Sequence, residues 1–301
     1  MTDSSPGLDP PLEMAFPPLF DAVDTAAAEA QHQLLVLRGL ELTSLVAAAG
    51  FAEFPGSALR GAGPILTIIF FVLALLLRVS GSDVAAERRW YDGRAAAESL
   101  KSMSWQYAVG GESFRIGESG SDQRFVDNMR AILKELSDLD IPLPDAKNTA
   151  IPTEMTAIRS VDRRERAELY IRLRVRDQLA WYRAKATWNK RRASQWRAGL
   201  IGIEAAAGLL GLGRALGWYD VDWLGIFAAL AATFAAWQQT KNFQGLSRSY
   251  AVTSHDVALV NSSIGSETSE EDWAQAVHDA EAAFSREHTL WRARRQGPSV
   301  S

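Results

Sequence analysis

PILTIIFFVLALLLRV, residues 64–79, has no charge before Arg78 and no polar side chain other than Thr67. A helix apolar on every face either sits inside a large core or spans a membrane. At about 1.5 Å per residue it reaches about 25 Å, the low edge of a hydrocarbon core about 30 Å thick. The stretch therefore predicts a transmembrane helix over about residues 62–79. What the rest of the chain decides is whether this helix is a lone anchor or one span of several.

Just before it, residues 40–54 are also apolar all round, with Arg38 and Glu41 at the entry and Glu53 at the exit. Arg38 and Glu41 lie three apart on one helix face. They read as an interfacial ion pair with Arg38 reaching toward head groups, or else as part of a pore mouth. Glu53, Pro55, Gly56, Ser57 and Arg60 form a short turn of the kind that joins antiparallel neighbours. Spans at about 38–54 and 62–79 thus make a helical hairpin. Ahead of it, Val23, Ala27, Ala30, Leu34 and Leu37 recur at helical period. Residues 1–15 are acidic and proline-broken, a disordered tail without the basic and apolar regions of a secretory signal, which keeps this end in the cytoplasm.

Composition sets limits. Over 301 residues, 47% hydrophobic content with a mean hydropathy of −0.10 excludes a fully embedded protein and suits a few spans attached to polar helices. The absence of cysteine removes disulfides, thiolate metal sites and cysteine nucleophiles together. A net charge of −4 gives no global reason to expect nucleic acid.

After the hairpin comes a polar helix with Trp90, Ala97, Leu100 and Tyr107 on one face, ended by Gly110 and Gly111. Residues 112–121 read as loop, and 122–139 as an amphipathic helix bearing Phe125, Met129, Ile132, Leu133 and Leu136. Residues 141–152, with Pro142, Pro144 and Pro152, are the clearest linker. The plan then repeats. A long helix begins near residue 161 with a stripe of Ile171, Val175, Leu179 and Tyr182. It ends in the basic, aromatic run WYRAKATWNKRRASQWRAG, residues 181–199. Residues 200–213 are apolar except for Glu204, 214–222 turn the chain, and 223–237 are apolar except for Thr233. A further polar helix runs through Tyr250, Val257 and Val260. The last helix, 269–295, has a capping box at Thr268 and Glu271 and a buried face of Trp273, Val277, Ala280, Phe284 and Trp291.

The expected fold is all-α and integral to the membrane: two helical transmembrane hairpins, four spans in all, with long amphipathic cytoplasmic helices. Its divisions are a tail (1–15), a first domain (16–111) and a connector with one amphipathic helix and a proline-rich linker (112–160). A second domain (161–295) has spans at about 196–213 and 221–239, and a tail (296–301) follows. Arg60 and Arg214 are the only basic residues of the hairpin turns, Arg214 offset by Asp220 and Asp222. The opposite ends bear Arg78, Arg88 and Arg89, then Arg183, Lys185, Lys190, Arg191, Arg192, Arg197 and Lys241. Positive-inside bias puts both termini and the polar helices in the cytoplasm, and Trp196, Trp218, Trp223 and Trp237 fall at span ends, as interfacial indoles do.

Glu204 is the sharpest single candidate. A carboxylate at mid-span costs about 2.5–3.5 kcal/mol on insertion scales, so it must face protein or water, or take up a proton. It reads as a pore-lining or helix-assembling residue, or as a glutamic acid hydrogen-bonded to a neighbouring helix. Ala198, Gly202 and Ala206 recur every four residues around it, a spacing that lets helices approach closely. The basic cluster Arg183, Lys185, Lys190, Arg191, Arg192 and Arg197 reads as a surface drawn to anionic lipid rather than to nucleic acid. Signals of catalysis are poor. No histidine has zincin spacing, the glycines of the apolar helix follow no strand, and His278 with Glu281 reads as a solvated helix face rather than a metal site. No catalytic residue, cofactor or metal is expected.

The runs YIRLRVRDQLAWYRAKATWNKRRASQW (170–196) and KNFQGLSRSYAVTSHDVALV (241–260), either side of a hairpin, resemble the SLATT domains. These are bacterial two-transmembrane effector domains associated with nucleotide second-messenger conflict systems. FPPLF (16–20), a hairpin and RRWYDGRAAAESLKSMSWQYAVGG (88–111) look like a second member. The resemblance implies an inner-membrane effector of antiphage defence that oligomerises and permeabilises its own membrane when a separate nucleotide-signalling or sensor protein triggers it. A membrane-anchored helical scaffold without a pore is the alternative. The family brings no catalytic residues, and no sensor domain is visible in this chain.

Overall fold

The computed structural model describes residues 12–53, 61–136, 139–141, 149–219, 221, 223–267 and 269–295, with side chains to Phe284. Among the described residues every regular element is helical: α1 (Pro18–Glu53), α2 (Ala62–Val79), α3 (Ser82–Val109), α4 (Ser121–Glu135), α5 (Thr153–Ser160), α6 (Arg163–Tyr170), α7 (Asp177–Ala215), α8 (Trp223–Lys241), α9 (Phe243–Ser263) and α10 (Glu270–Arg295). A 3₁₀ turn, Glu112–Phe114, follows α3, and a π segment, Ile171–Arg176, joins α6 to α7 into one continuous helix. The fold is all-α, as the sequence predicts. Long helix, returning helix, polar helix occurs twice, with 36, 18 and 28 residues in α1–α3 and 39, 19 and 21 in α7–α9.

The chain forms two compact units that do not follow its order. One comprises Met1–Ala26, Gly93–Trp181 and Thr253–Ser301; the other comprises Ala27–Asp92 and Tyr182–Val252. Each gathers residues from both halves of the sequence. The first is the polar unit and the second the apolar one.

The polar unit has an aromatic interior. Tyr107, Phe114 and Phe125 meet ring to ring at 5.0–5.9 Å, and Tyr170 stands edge-on to both Trp105 and Trp273 at 5.7 and 5.9 Å. These rings are almost fully buried, as are Met155, Ile158 and Val277. Helix α3 stops at Gly110 (φ 78°), a left-handed residue that lets the Gly111 amide bond back to the Gln106 carbonyl at 2.7 Å. Partners far along the chain take up other carbonyls here. The Trp273 indole donates to the Val109 carbonyl at 2.8 Å, and Arg159 donates to the carbonyls of Tyr107 at 2.6 Å and, in the 3₁₀ turn, Phe114 at 2.8 Å.

Several local expectations shift. The connector holds a second helix, α5, because Met155 and Ile158, three apart, bury one face of a short segment following Pro152. Leu133, expected on the buried face of α4, is 44% exposed, while Phe125 and Met129 are buried. The cap of α10 belongs to Ser269, whose hydroxyl accepts from the Asp272 amide at 3.0 Å. Thr268 lies outside the described residues, as do residues 54–60 of the first turn, 142–148 of the linker, Asp220, Asp222 and the side chain of Trp291.

Candidate functional site

In the apolar unit, α1 and α2 lie against each other with Phe51 and Phe70 stacked at 5.5 Å and 8°. Their burial differs sharply. Helix α1 buries Glu41, Leu42, Ser44 and Ala48, whereas α2 buries only Gly63 and Ala74. Ile65, Ile68, Phe71, Leu75 and Leu76 of α2 are each 54–63% exposed. Such a contiguous apolar surface is not stable against water and requires lipid or an apolar partner. Among the described residues, three helices are long and apolar enough to cross a membrane: Pro18–Glu53, Ala62–Val79 and the continuous helix Arg163–Ala215. Helix α8 is apolar over its first fifteen residues apart from Thr233 and closes on Gln238, Gln239, Thr240 and Lys241.

The second pair of helices is joined at a close approach. A Cβ on Gly199 of α7 would lie 3.1 Å from the Phe234 ring of α8, and that ring meets Trp196 at 4.5 Å. Gly199 is thus the position where a small residue admits its neighbour. Gly202, which the four-residue spacing singled out, has nothing within 4 Å of where a Cβ would be. Gly202 and Glu204 are both exposed, and Ala206 is half-buried. The face of α7 bearing Glu204 is therefore uncovered within one copy of the chain. Helix α8 also approaches the first hairpin, since a Cβ on Gly39 would lie 3.9 Å from Trp237 and one on Gly225 3.6 Å from the Glu53 carboxylate.

Arg38 and Glu41 pair as the sequence predicts, at 3.4 Å, but they belong to a larger network. Arg38 donates to Asp83 at 2.7 Å, and Arg78 holds Glu41 with Nε at 2.8 Å and Nη2 at 2.7 Å. The residue that ends the apolar run of α2 and the first acid of α3 thus converge on the start of the apolar part of α1. Glu41 is only 4% exposed, and two guanidinium groups between them meet both of its oxygens. Arg78 and Asp83 were not foreseen as partners. The available signal was that an acid bordering an apolar span needs a cation, and Arg78 is the first charge after that span.

The basic cluster lies on α7. Arg183, Lys185, Lys190, Arg191, Arg192 and Arg197 are all exposed. Trp188, half-exposed, has Lys185 over its ring at 5.9 Å and Arg192 at 5.4 Å, and its edge meets Phe243 at 5.9 Å. Phe243 follows Asn242, whose left-handed backbone (φ 45°) breaks α8 from α9, and Ser247 of α9 donates to the Ala186 carbonyl at 3.0 Å.

The polar unit holds one charged site that sequence reasoning misread. Glu281 is not on a solvated face: it is fully buried, accepting from Arg174 Nε at 3.0 Å, Arg174 Nη2 at 2.7 Å and the Tyr170 hydroxyl at 2.8 Å. His278, its supposed companion, is half-exposed and lies 3.9 Å from Glu112. Among the described residues no group of three acids or histidines is placed to hold a metal. Burial drives the Tyr170 phenol well above its ordinary pKa, and the Glu281 charge adds to this. Burial alone would lower Arg174, but Glu281 outweighs it and holds the guanidinium above its usual range. Lys101 is lowered by burial and by the nearby Arg174. The predicted stripe also turns: Arg174, Val175, Gln178 and Tyr182 are buried while Leu179 is only half-buried, because the π segment shifts register. A signal for Glu281 did exist, as it falls between Val277 and Phe284 at helical spacing.

Residues 17–167 match the SMODS and SLOG-associating 2TM effector domain 3, and residues 170–291 match the SMODS and SLOG-associating 2TM effector domain 1. No curated protein and no solved structure matches the chain. The two hairpin-bearing halves are thus two domains of one effector type, and the chain belongs to the SLATT family as a tandem member.

Proposed function

We propose that this chain is a non-enzymatic membrane effector of a bacterial nucleotide-signalling, antiphage system. It resides in the inner membrane with four spans, α8 supplying the fourth, and with both termini and the polar helices in the cytoplasm. Copies of the chain assemble through the span bearing Glu204 and permeabilise the membrane when a separate sensor or a second messenger acts on the polar helices. The observation that carries this reading is the exposed apolar surface of α2 together with the uncovered Glu204 on α7. Lipid satisfies the former; a carboxylate at membrane depth needs protein or water, which a second copy or a pore supplies.

Induced expression in bacteria with a membrane-impermeant dye tests the proposal. Dye entry with the wild type, reduced at least several-fold by Glu204→Leu at equal membrane abundance, is expected. Dye exclusion by membrane-resident wild type in an activated system would overturn the pore and favour a helical scaffold. Unchanged leakage in Glu204→Leu would remove that residue from the pathway.

A further inference from the structure

Helix α6, the π segment and α7 run on as one helix, Arg163–Ala215, and around the π segment its faces keep an unusual spacing. Arg166, Tyr170, Arg174 and Gln178 are all buried, at steps of four. Glu168, Arg172, Arg176 and Ala180 are all exposed, again at steps of four. In a straight α-helix, positions four apart drift by about 40°, so three such steps would spread each set over about 120°. An i→i+5 turn takes in one residue more than an α turn, and one α residue is worth about 100° of rotation. The π segment, Ile171–Arg176, therefore removes most of the drift and holds each set on one face.

Segments of this kind are rare, and the contacts that hold this one come from a single stretch of chain. Arg174, inside it, reaches Glu281 of α10 with Nε at 3.0 Å and Nη2 at 2.7 Å, and Tyr170, just before it, donates to the same carboxylate at 2.8 Å. The Arg174 guanidinium also lies over the Phe284 ring of α10 at 5.0 Å. At the start of the segment, a Cβ on Gly265, between α9 and α10, would lie 2.9 Å from Ile171 Cδ1. We infer that α10 is a latch: Glu281 keeps the π segment underwound, and withdrawal of α10 lets it rewind to α, turning α7 by about 100° against α6. Anything that binds α10 better when it is free of Arg174 shifts the equilibrium toward the rewound helix. Helix α7 bears Glu204, so on the reading of α7 as a membrane span the turn changes which face that span presents. The latch names the contact that a sensor or second messenger has to release.

The chain contains no cysteine, so Glu168→Cys/Ala180→Cys accepts spin labels at two exposed positions of the full chain in detergent. With the π segment in place the labels share a face, and rewinding should carry them about 8–10 Å farther apart. Arg174→Met/Glu281→Leu removes the latch without stranding a buried charge, and helical circular dichroism checks that the fold is kept. In that background the population at the longer distance should rise about fivefold or more. Glu281→Gln, which keeps the side chain's size and drops its charge, should move the same way to a smaller extent. Deletion of the exposed Arg172 removes the surplus residue, so the flanking faces stay in place with no π segment left to rewind. With Arg172 deleted, the latch substitutions should leave only the short distance. The short distance alone in the folded latch variants would overturn the latch, and a long distance that persists in the deletion would overturn rewinding as its cause. In the dye assay, Arg174→Met/Glu281→Leu should admit dye without a trigger, several-fold above the wild type, and the Arg172 deletion should stay tight in an activated system. A lengthened distance without dye entry would uphold the latch and defeat the pore reading, whereas dye entry in the wild type with an unmoved distance would defeat only the latch.

Discussion

Glu41 and Glu281 are both buried acids held by arginine, Glu281 through both oxygens by Arg174 alone and Glu41 through one oxygen by Arg78 and the other by Arg38, and the two sites are built on opposite terms. Glu281 is closed on every side: its own side chain is fully buried and that of Arg174 is 2% exposed. Glu41 is buried as well, but Arg78, which holds it, keeps 68% of its side chain exposed, and Arg38 keeps 32%. The polar unit thus encloses a complete ion pair, while the apolar unit buries only the acid and leaves its cations at an edge. A long arginine can serve both purposes there, meeting the carboxylate with its head while its stem covers apolar surface.

The comparison breaks most readily at Glu281. Glu281→Ala strands the buried Arg174 and Tyr170 hydroxyl without their partner and should cost about 3–5 kcal/mol, read as a large fall in the thermal midpoint of helical circular dichroism in detergent. Replacing both partners, Arg174→Met with Glu281→Leu, should restore most of that loss, because no uncompensated charge remains. A double variant as unstable as the single one would show that the pair is not the source of the effect.

Glu41→Ala should cost less, about 1.5–3 kcal/mol, since the released arginines already reach solvent. Hydrogen exchange should place the loss at the α2–α3 junction. An effect as large as that of Glu281→Ala would mean that the arginines are not solvated when released, and the contrast would collapse.

The smallest effect is on pH dependence. Burial, reinforced by the hydrogen bond its hydroxyl donates to Asp122 at 2.7 Å, pushes the Tyr107 phenol up to about 12 from its ordinary 10. A raised pKa in the folded state favours the protonated form, so its contribution is complete below pH 10 and is lost as pH rises through about 12. Stability should therefore decline between pH 10 and 12, with amides of the polar unit losing exchange protection first. Tyr107→Phe should flatten part of that slope; an unchanged slope would assign it to other groups.

How much of this was legible depended on distance along the chain. The α2 span, the hairpin plan and its repetition are properties of apolar length and period, which a one-dimensional reading measures directly. Arg38 with Glu41 was legible for the same reason, being one helical turn apart. Arg78 holds Glu41 from 37 residues away and Arg174 holds Glu281 from 107, and no spacing rule selects such partners. Glu281 was misread because a charged residue on an amphipathic helix is ordinarily solvated, and only the packing of α10 against the π segment shows otherwise. Gly199 lost out to Gly202 in the sequence because both suit a close approach, and only the placement of Phe234 distinguishes them.

By itself, the sequence determined that this is an all-helical chain with membrane-length apolar helices, duplicated in plan and basic beside its spans. Periodicity and hydropathy act within a single helix, and each helix carries its own record of them. The tertiary structure decided which halves of those helices form a unit, which acids are enclosed and which face of α7 remains uncovered. Those outcomes depend on side chains brought together from distant parts of the chain, where burial sets the cost of each charge and geometry decides whether that cost is met.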